Sequence, residues 1–208
     1  MRITASIDDG SLYDVELIKI FRSFGIPITM YLVVGHAQLA RAKGYPELSE
    51  KQVEWVGRNT TIGSHTVTHP LLTRISLEEA YNEIVDSKAM LEAEFNTKVD
   101  KFCYPRGYAN PEIQKIVVEA GYESARSTLV GYIHESENPY FEQTTLHVGC
   151  DRKEYGGMSW YDYGIEMYEL AKKEPDANYH IWGHGWEVYK NDGVNDLKRL
   201  LKVLCEST

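Results

Sequence analysis

The sequence has few cysteines and no long hydrophobic run. Its three cysteines, Cys103, Cys150 and Cys205, form no C-x-x-C pair among 208 residues. A disulfide framework or a structural zinc knuckle is therefore not expected. A Cys103–Cys150 bridge stays open, although three separate thiols are the simpler interpretation. No stretch approaches the roughly 18 apolar residues of a membrane span, so none is predicted.

Basic residues are also few, with 22 Lys and Arg against 31 Asp and Glu and a net charge of −9. This balance argues against nucleic-acid binding and against adsorption to an anionic membrane. A hydrophobic fraction of 43% argues against disorder. The opening sequence MRITASIDDG has no apolar signal region. We expect a cytoplasmic protein if Met1 is the natural start, and a secreted one if the sequence was trimmed.

Short β-rich runs alternate with longer helical patterns along the chain. The β-rich runs cover residues 3–7, 26–34, 60–64, 101–104 and 179–183, with a weaker run at 144–150. Apolar spacing predicts helices over 14–24, 47–59, 76–95, 110–122, 162–173 and 194–206. The stretch 127–157 is expected to be an irregular loop. The alternation predicts one α/β domain over residues 1–208 with a mostly parallel sheet, as a barrel or an open sheet.

Acids and imidazoles recur where the β-rich runs end. Sites in parallel α/β folds form at the carboxyl ends of strands. The residues that follow or lie in the successive runs are Asp8-Asp9-Gly10, His65 to His69, Pro105-Arg106-Gly107, His147 with Asp151, and His184. The sequence therefore predicts one polar site at this end of the sheet.

Asp8 and Asp9 are adjacent carboxylates that repel each other unless a cation neutralises them. A turn at Gly10 lets both face one pocket, although Asp-Gly alone is also an ordinary turn signal. The spacing of His65 and His69 places two imidazoles on one face of a helical turn, where they can hold one metal ion. Two surface histidines would give the same spacing. Two histidines with one carboxylate leave coordination positions open for water and substrate.

The other histidines differ in their surroundings. His184 lies between glycines at a strand end, which permits close approach of another group and favours a functional role. His180, inside the same run, is expected to be structural. His36 and His134 have no such context and are expected at the surface.

These residues, in this order, resemble the motifs of the polysaccharide deacetylase family, carbohydrate esterase family 4. SIDDG (6–10) is similar to the family's T-F-D-D-G motif, and SHTVTHP (64–70) to its paired-histidine motif. FCYPRGYAN (102–110) and WGHGWE (182–187) resemble its third and final motifs more loosely. SFGIPITMYLVVG (23–35) and AGYESAR (120–126) resemble its second strand and a later one.

The resemblance implies a distorted (β/α) barrel that binds one divalent metal ion. Asp9, His65 and His69 would be the metal ligands, with zinc expected first and cobalt, nickel or iron(II) also suited. Asp8 would act as general base and His184 as general acid. The remaining residues expected to bind substrate or the oxyanion are Tyr104, Arg106, Gly107, His147 and Trp186.

The implied reaction is hydrolysis of an amide, acetyl first, on an N-acylated sugar or glycan. A metal activates water and polarises the carbonyl, and amide donors stabilise the oxyanion. Two alternatives stay open. The first is that the substrate is a small nucleotide-linked or lipid-linked sugar rather than a polymer. The second is a non-catalytic carbohydrate-binding protein, suggested by the missing arginine of the family's third motif and by the 24 aromatic residues (4 Trp, 15 Tyr and 5 Phe), which can stack on sugar faces. A metal-free cyclic-amide hydrolase is disfavoured, because no metal ligand is missing. The oligomeric state is not predicted.

Two departures from the family pattern stand out. Cys103 occupies the position of the arginine in the family's third motif, and Arg106 either approaches the site or faces solvent. The family's Asp-Trp motif has no clear match. Trp160 and Asp162 are nearby candidates, and His147 with Asp151 is the alternative.

Overall fold

Seven parallel strands form one sheet in the computed structural model, which describes residues 1–206. The order across the sheet is β5-β4-β3-β2-β1-β7-β6. The strands are β1 (Arg2–Asp9), β2 (Ile28–Leu32), β3 (Thr61–Ser64), β4 (Lys101–Cys103), β5 (Ser124–Arg126), β6 (Leu146–Val148) and β7 (Asn178–Gly183). Every strand pair is parallel, so all carboxyl ends lie at the same edge.

The segment before β6 closes the space between the two edges of the sheet. The Glu142 amide donates to the Ala125 carbonyl and the Ser127 amide to the Glu142 carbonyl, each at 2.8 Å, which joins this segment to β5. Three residues later, the Thr145 amide donates to the His180 carbonyl of β7 at 2.9 Å. The curled sheet confirms the expected distorted (β/α) barrel. The weak run at 144–150 forms β6 as predicted, although it lies within the stretch expected to be irregular.

Helices cover the barrel and follow the predicted order. They are α1 (Leu12–Ser23), α2 (His36–Lys43), α3 (Glu50–Asn59), α4 (Leu77–Phe95), α5 (Pro111–Glu119), α6 (Trp160–Ala171), α7 (Gly185–Lys190) and α8 (Val194–Glu206). The sequence did not predict α2 or α7. Helix α2 buries only Ala40 and α7 has six residues, so neither has a clear apolar stripe.

Helix starts are set by side-chain caps. The Ser76 hydroxyl accepts from the Glu79 amide, while the Glu79 carboxylate accepts from the Ser76 amide, which together form a capping box. At α5 the Asn110 side chain accepts from the Ile113 amide at 2.9 Å, and Pro111 takes the first helical position. These local signals explain why α4 and α5 each begin within one residue of the predicted start.

The structure also bears on disulfide bonds and on membrane-spanning helices, for the residues that it describes. Cys103 and Cys150 form no disulfide with each other there. Within the same range, no helix is both long and apolar enough to cross a membrane.

Candidate active site

The carboxyl ends of the strands bring the predicted polar residues together in one buried site. Asp8 and Asp9 end β1, His65 follows β3, Cys103 ends β4 and His184 follows β7. The two aspartates are each about 1% exposed, and His65 is 2% exposed. Charged groups buried to this degree need partners. Those partners define what the site can do.

The turn after β1 directs both carboxylates into the site. Asp9 has a φ of 83° and Gly10 a φ of 106°, both in the left-handed region. A Cβ at Gly10 would lie 2.5 Å from Leu32 Cδ1 and 2.8 Å from His36 Cβ. Only glycine fits this turn without a rearrangement. His36, expected at the surface, is therefore half-buried against the turn.

The segment from His65 to His69 is a loop rather than the expected helical turn. Thr66 and His69 have φ values of 71° and 63°. Glu83 of α4 holds the loop, because its carboxylate accepts from the Val67 and Thr68 amides at 2.8 and 2.9 Å. The two imidazoles still come together, with ring centroids 4.7 Å apart. The prediction of proximity is confirmed, and the prediction of a helical turn is wrong.

Asp9, His65 and His69 have the geometry of a metal site. Asp9 Oδ1 lies 3.9 Å from His65 Nε2 and 3.6 Å from His69 Nε2. This oxygen is buried and has no hydrogen-bond partner among the described residues. Ligands bound at ~2.0–2.1 Å around a tetrahedral zinc are about 3.4 Å apart, so the three donors need to move little. His65 Nδ1 lies 2.7 Å from the Cys103 carbonyl, which leaves Nε2 for the metal.

The protonation states also suit a metal. Burial lowers the pKa of His65, and burial together with His65 lowers the pKa of His69 to about 3. Burial opposes the charge on Asp9, but His184 and Lys43 outweigh it and hold the pKa of Asp9 well below its usual value. Neutral imidazoles and an ionised carboxylate are the forms that bind a divalent cation.

Asp8 is paired with an arginine that the sequence did not reveal. Nη2 of Arg126, at the end of β5, lies 2.5 Å from both carboxylate oxygens. The guanidinium also lies over the Tyr31 and Trp182 rings, at 5.0 and 4.9 Å from their centroids. Burial opposes the charge on Asp8, but Arg126 outweighs it and lowers the pKa of Asp8. Cys103 Sγ lies 3.7 Å from Asp8, at the family arginine position.

His184 shares a carboxylate with a second histidine. His184 Nδ1 lies 2.6 Å and His147 Nε2 2.7 Å from the same oxygen, Oε2 of Glu187. The His147 ring stacks on Trp182 at 3.9 Å. Burial opposes protonation of His184, but Glu187 and Asp9 outweigh it and raise the pKa of His184 to about 9. Both imidazoles lie at hydrogen-bond distance from the same Glu187 oxygen, so these three side chains form a hydrogen-bond network.

Glu187, rather than Trp160 or Asp162, is the acidic side chain in contact with His184. Those two residues lie at the start of α6, where the Ser159 side chain caps the helix through the Asp162 amide. Asp151 accepts from the Trp160 amide at 2.7 Å, so it belongs to the same helix start. The signal for Glu187 was its position three residues after His184, which α7 makes adjacent in space.

The third motif contributes less than expected. The Tyr104 hydroxyl donates to the Tyr140 carbonyl at 2.8 Å, and the Tyr104 amide donates to Arg126, so this side chain belongs to the core. Arg106 is exposed, with a φ of 59°. At Gly107, with a φ of 76°, a Cβ would lie 2.2 Å from Thr128 Oγ1. The tight turn at 105–107 thus requires glycine.

Three residues border the site on the side of α2 and α7. Lys43 Nζ lies 2.7 Å and the Tyr45 hydroxyl 3.4 Å from Asp9 Oδ2. The Trp186 ring lies 5.6 Å from the ring of His184. Trp186 was predicted as a substrate-binding residue. Lys43 and Tyr45 were missed, because α2 carried no sequence signal.

Comparisons with known proteins agree on the family. The family model described as polysaccharide deacetylase matches residues 2–125. A peptidoglycan-N-acetylglucosamine deacetylase of Bacillus cereus is 27% identical over 180 residues, which are 84% of this chain and 80% of that protein. YxkH of Bacillus subtilis, named for polysaccharide deacetylation, is 23% identical over 143 residues. The match covers 66% of this chain but only 48% of YxkH.

Similarity of fold does not by itself decide activity. A Bacillus anthracis protein described as a pseudoenzyme of carbohydrate esterase family 4 has a TM-score of 0.61 and 14% identity, covering 97% of this chain and 61% of that one. The sequence match rests on the strands and motifs of the first 125 residues, more than half of the chain. On that match, the chain belongs to the polysaccharide deacetylase family.

Proposed function

We propose that the protein is a metal-dependent hydrolase that removes an N-acetyl group from a carbohydrate. The observation that carries the proposal is the buried Oδ1 of Asp9, which has no hydrogen-bond partner within residues 1–206 and lies near the imidazoles of His65 and His69. Asp8 and His184 flank this group. One carboxylate is thus available for a metal while the adjacent one is available for proton transfer. This division of roles is what amide hydrolysis requires.

Asp9, His65 and His69 would hold the divalent cation, with zinc first among the candidates. When bound, it supplies a Lewis acid that lowers the pKa of water and polarises the acyl carbonyl. All three donors are held by the protein beforehand. The β1 turn orients Asp9, the Cys103 carbonyl orients His65, and the loop bound by Glu83 carries His69.

Asp8 acts as general base. Arg126 keeps it ionised and fixes its plane through a two-oxygen contact, so it can accept a proton from the attacking water. The Tyr31 and Trp182 rings lie against the guanidinium and help to hold it in place. Arg126 therefore both orients the Asp8 carboxylate and keeps it ionised.

His184 acts as general acid toward the departing nitrogen. Glu187 accepts from Nδ1, so the second ring proton lies on Nε2, which faces Asp9 at 3.8 Å. A raised pKa keeps this proton on the ring at neutral pH. The turn at residues 105–107 lies at the end of β4 and is our candidate for the amide donor to the oxyanion.

The carbohydrate class is supported by the Bacillus cereus relative, which is named for peptidoglycan N-acetylglucosamine. The test is acetate release from N-acetylglucosamine oligomers and from small N-acetylated sugars, after removal of metal and reloading with zinc, cobalt, nickel or iron(II). We expect release only with metal. Asp8→Asn and His184→Ala should each lower kcat by at least about 100-fold. Asp176→Asn and His134→Ala, at exposed positions, are the matched controls.

Metal content gives an independent measurement. We expect about one equivalent in the wild type, its loss in His69→Ala, and no change in His134→Ala. Bound metal without acetate release from any substrate, together with saturable glycan binding, would instead support a carbohydrate-binding protein. Absence of metal after reloading would overturn the proposal.

A further inference from the structure

A groove beside the catalytic residues has no role in the chemistry described so far. It has a volume of about 790 Å³, in the size range of ligand pockets. It lies between α1, the end of α2 and α7. We call it the aromatic–lysine groove, after the side chains that line it, which are Tyr13, Lys43, Tyr45, Trp186, Tyr189 and Lys190.

The groove is continuous with the candidate metal site. Lys43 and Tyr45 line the groove and also contact Asp9 Oδ2, at 2.7 and 3.4 Å. Trp186 lines the groove and lies 5.6 Å from His184, ring to ring. A ligand in the groove therefore lies next to both a metal ligand and the proton donor. The groove is therefore positioned to hold the part of a substrate that adjoins the acyl group.

Aromatic rings give the groove preformed apolar walls. Tyr13 and Tyr189 stack with centroids 5.1 Å apart, and Tyr45 and Trp186 are within 11° of parallel at 5.9 Å. All four rings are half-buried, which limits their motion while leaving part of each ring accessible. Rigid Tyr and Trp rings supply contact area at little entropic cost. Such walls suit the apolar faces of a sugar ring.

The charge of the groove is opposite to that of the whole protein. The chain carries a net charge of −9, yet two lysines and no acidic side chain line the groove in the described part of the chain. Lys190 is exposed, and it forms no ion pair with any residue that the structure describes. An ammonium group without a carboxylate partner is available for an anion.

Resting on the proposed function, we propose that this groove binds an anionic group on the substrate. The preferred substrate is then an N-acylated sugar with a carboxylate or a phosphate next to the acylated residue. The ring stacks on the aromatic walls and Lys190 contacts the acid, while Lys43, which is paired with Asp9, adds positive charge at the end of the groove next to the metal site. A neutral N-acylated sugar binds the same catalytic residues but gains nothing from the lysines.

The experiment compares acetate release from substrates that differ in this acid. N-acetylmuramic acid carries a carboxylate, and N-acetylglucosamine 6-phosphate and UDP-N-acetylglucosamine carry phosphate, while N-acetylglucosamine and its neutral trimer carry neither. We expect a KM at least about fivefold lower for one anionic class at low salt, with the advantage reduced at 0.5 M salt. The class that shows the advantage identifies the acid.

The variant Lys190→Glu separates the groove from the catalytic site, because Lys190 touches no proposed metal ligand. It should raise the KM for the anionic substrate by about tenfold and leave kcat and the neutral substrates unchanged. Lys173→Glu, an exposed lysine at the end of α6, makes the same charge change elsewhere and should have no effect. Equal KM values for neutral and anionic substrates, or an equal loss in both with Lys190→Glu, would overturn the inference.

Calorimetric binding separates this inference from the proposed function. If no substrate is hydrolysed, the proposed function fails, but binding of the anionic sugars and its loss in Lys190→Glu would still support the groove. If hydrolysis occurs with no preference for an acid, only the groove assignment fails.

Discussion

Arg126 and Asp8 form a buried ion pair across the barrel, joining the carboxyl end of β5 to that of β1. Nη2 of Arg126 lies 2.5 Å from both oxygens of Asp8, and both side chains are 2% exposed. Cys103 occupies the position at which the family resemblance expects an arginine. The guanidinium thus reaches Asp8 from another strand.

Removing Arg126 should cost both stability and activity. Arg126→Met leaves the Asp8 carboxylate buried and unpaired, which should lower the free energy of unfolding by about 3–5 kcal/mol. Urea denaturation of the metal-free protein measures this loss. The same variant should lower kcat, because an unpaired buried carboxylate holds its proton and is a poor base.

The double variant Arg126→Met with Asp8→Asn removes both charges and should recover part of the stability. Arg106→Met, at the exposed arginine of the third motif, is the control and should change stability by less than about 0.5 kcal/mol. If Arg126→Met were as stable as the control, the ion pair would not be a structural element.

Sequence reasoning found the residues of this site that lie in local motifs. Asp8, Asp9, His65, His69 and His184 each follow a short β-rich run, and parallel strands bring such positions to one edge. The structure places these side chains together as that argument requires. Their chemical roles stay proposals.

The missed residues depend on contacts that no local pattern records. Arg126 reaches Asp8 only because β5 curls around the barrel, and 118 residues separate the two along the chain. Lys43 comes from α2, whose polar sequence gave no helical signal. Glu187 contacts His184 through one turn of α7, a helix too short to predict. The loop from His65 to His69 is held by Glu83, at least 15 residues from the amides that it accepts from, so its spacing alone could not be told from that of a helical turn.

Glu187 should control the protonation of His184 in the metal-free protein. The pKa of His184 is raised to about 9 despite burial, first by Glu187 and then by Asp9. In Glu187→Gln the negative charge that offsets burial is lost, so the pKa of His184 should fall. NMR titration of the ring protons measures this change. Glu174→Gln, an exposed site, should leave the titration unchanged.

The same shift predicts a pH dependence of stability. The pKa of His184 rises from about 6.5 in the unfolded chain to about 9 in the folded protein. Protonation of His184 therefore adds to the free energy of unfolding, fully below pH 6.5, and this contribution is lost as the pH rises through about 9. The difference in unfolding free energy between wild type and Glu187→Gln should therefore be largest near pH 6 and smallest above pH 9. A difference that grew with pH would contradict the assignment.

Glu83 should determine metal affinity without contacting the metal. Its carboxylate accepts from the Val67 and Thr68 amides and from the Thr68 hydroxyl, at 2.6 to 2.9 Å. Glu83→Ala frees the loop that carries His69, and should weaken metal binding about 10–100-fold in competition with a chelator. Glu79→Ala removes the capping carboxylate of the same helix and should cost about 1 kcal/mol of stability with unchanged affinity. Equal affinities in the two variants would show that the loop needs no anchor.

Gly10→Ala should disrupt the site through backbone geometry alone. The added Cβ would lie 2.5 Å from Leu32 Cδ1 and 2.8 Å from His36 Cβ, at a φ of 106°. Left-handed strain and overpacking together should cost about 2–5 kcal/mol, and the turn that positions Asp9 should move. The matched control is Gly121→Ala, which has a φ of 78° and no atom within 4 Å of the new Cβ. It carries the strain without the clash, so it should cost about 1–2 kcal/mol and keep its metal. Loss of metal from both variants would mean that general destabilisation, rather than the β1 turn, controls the site.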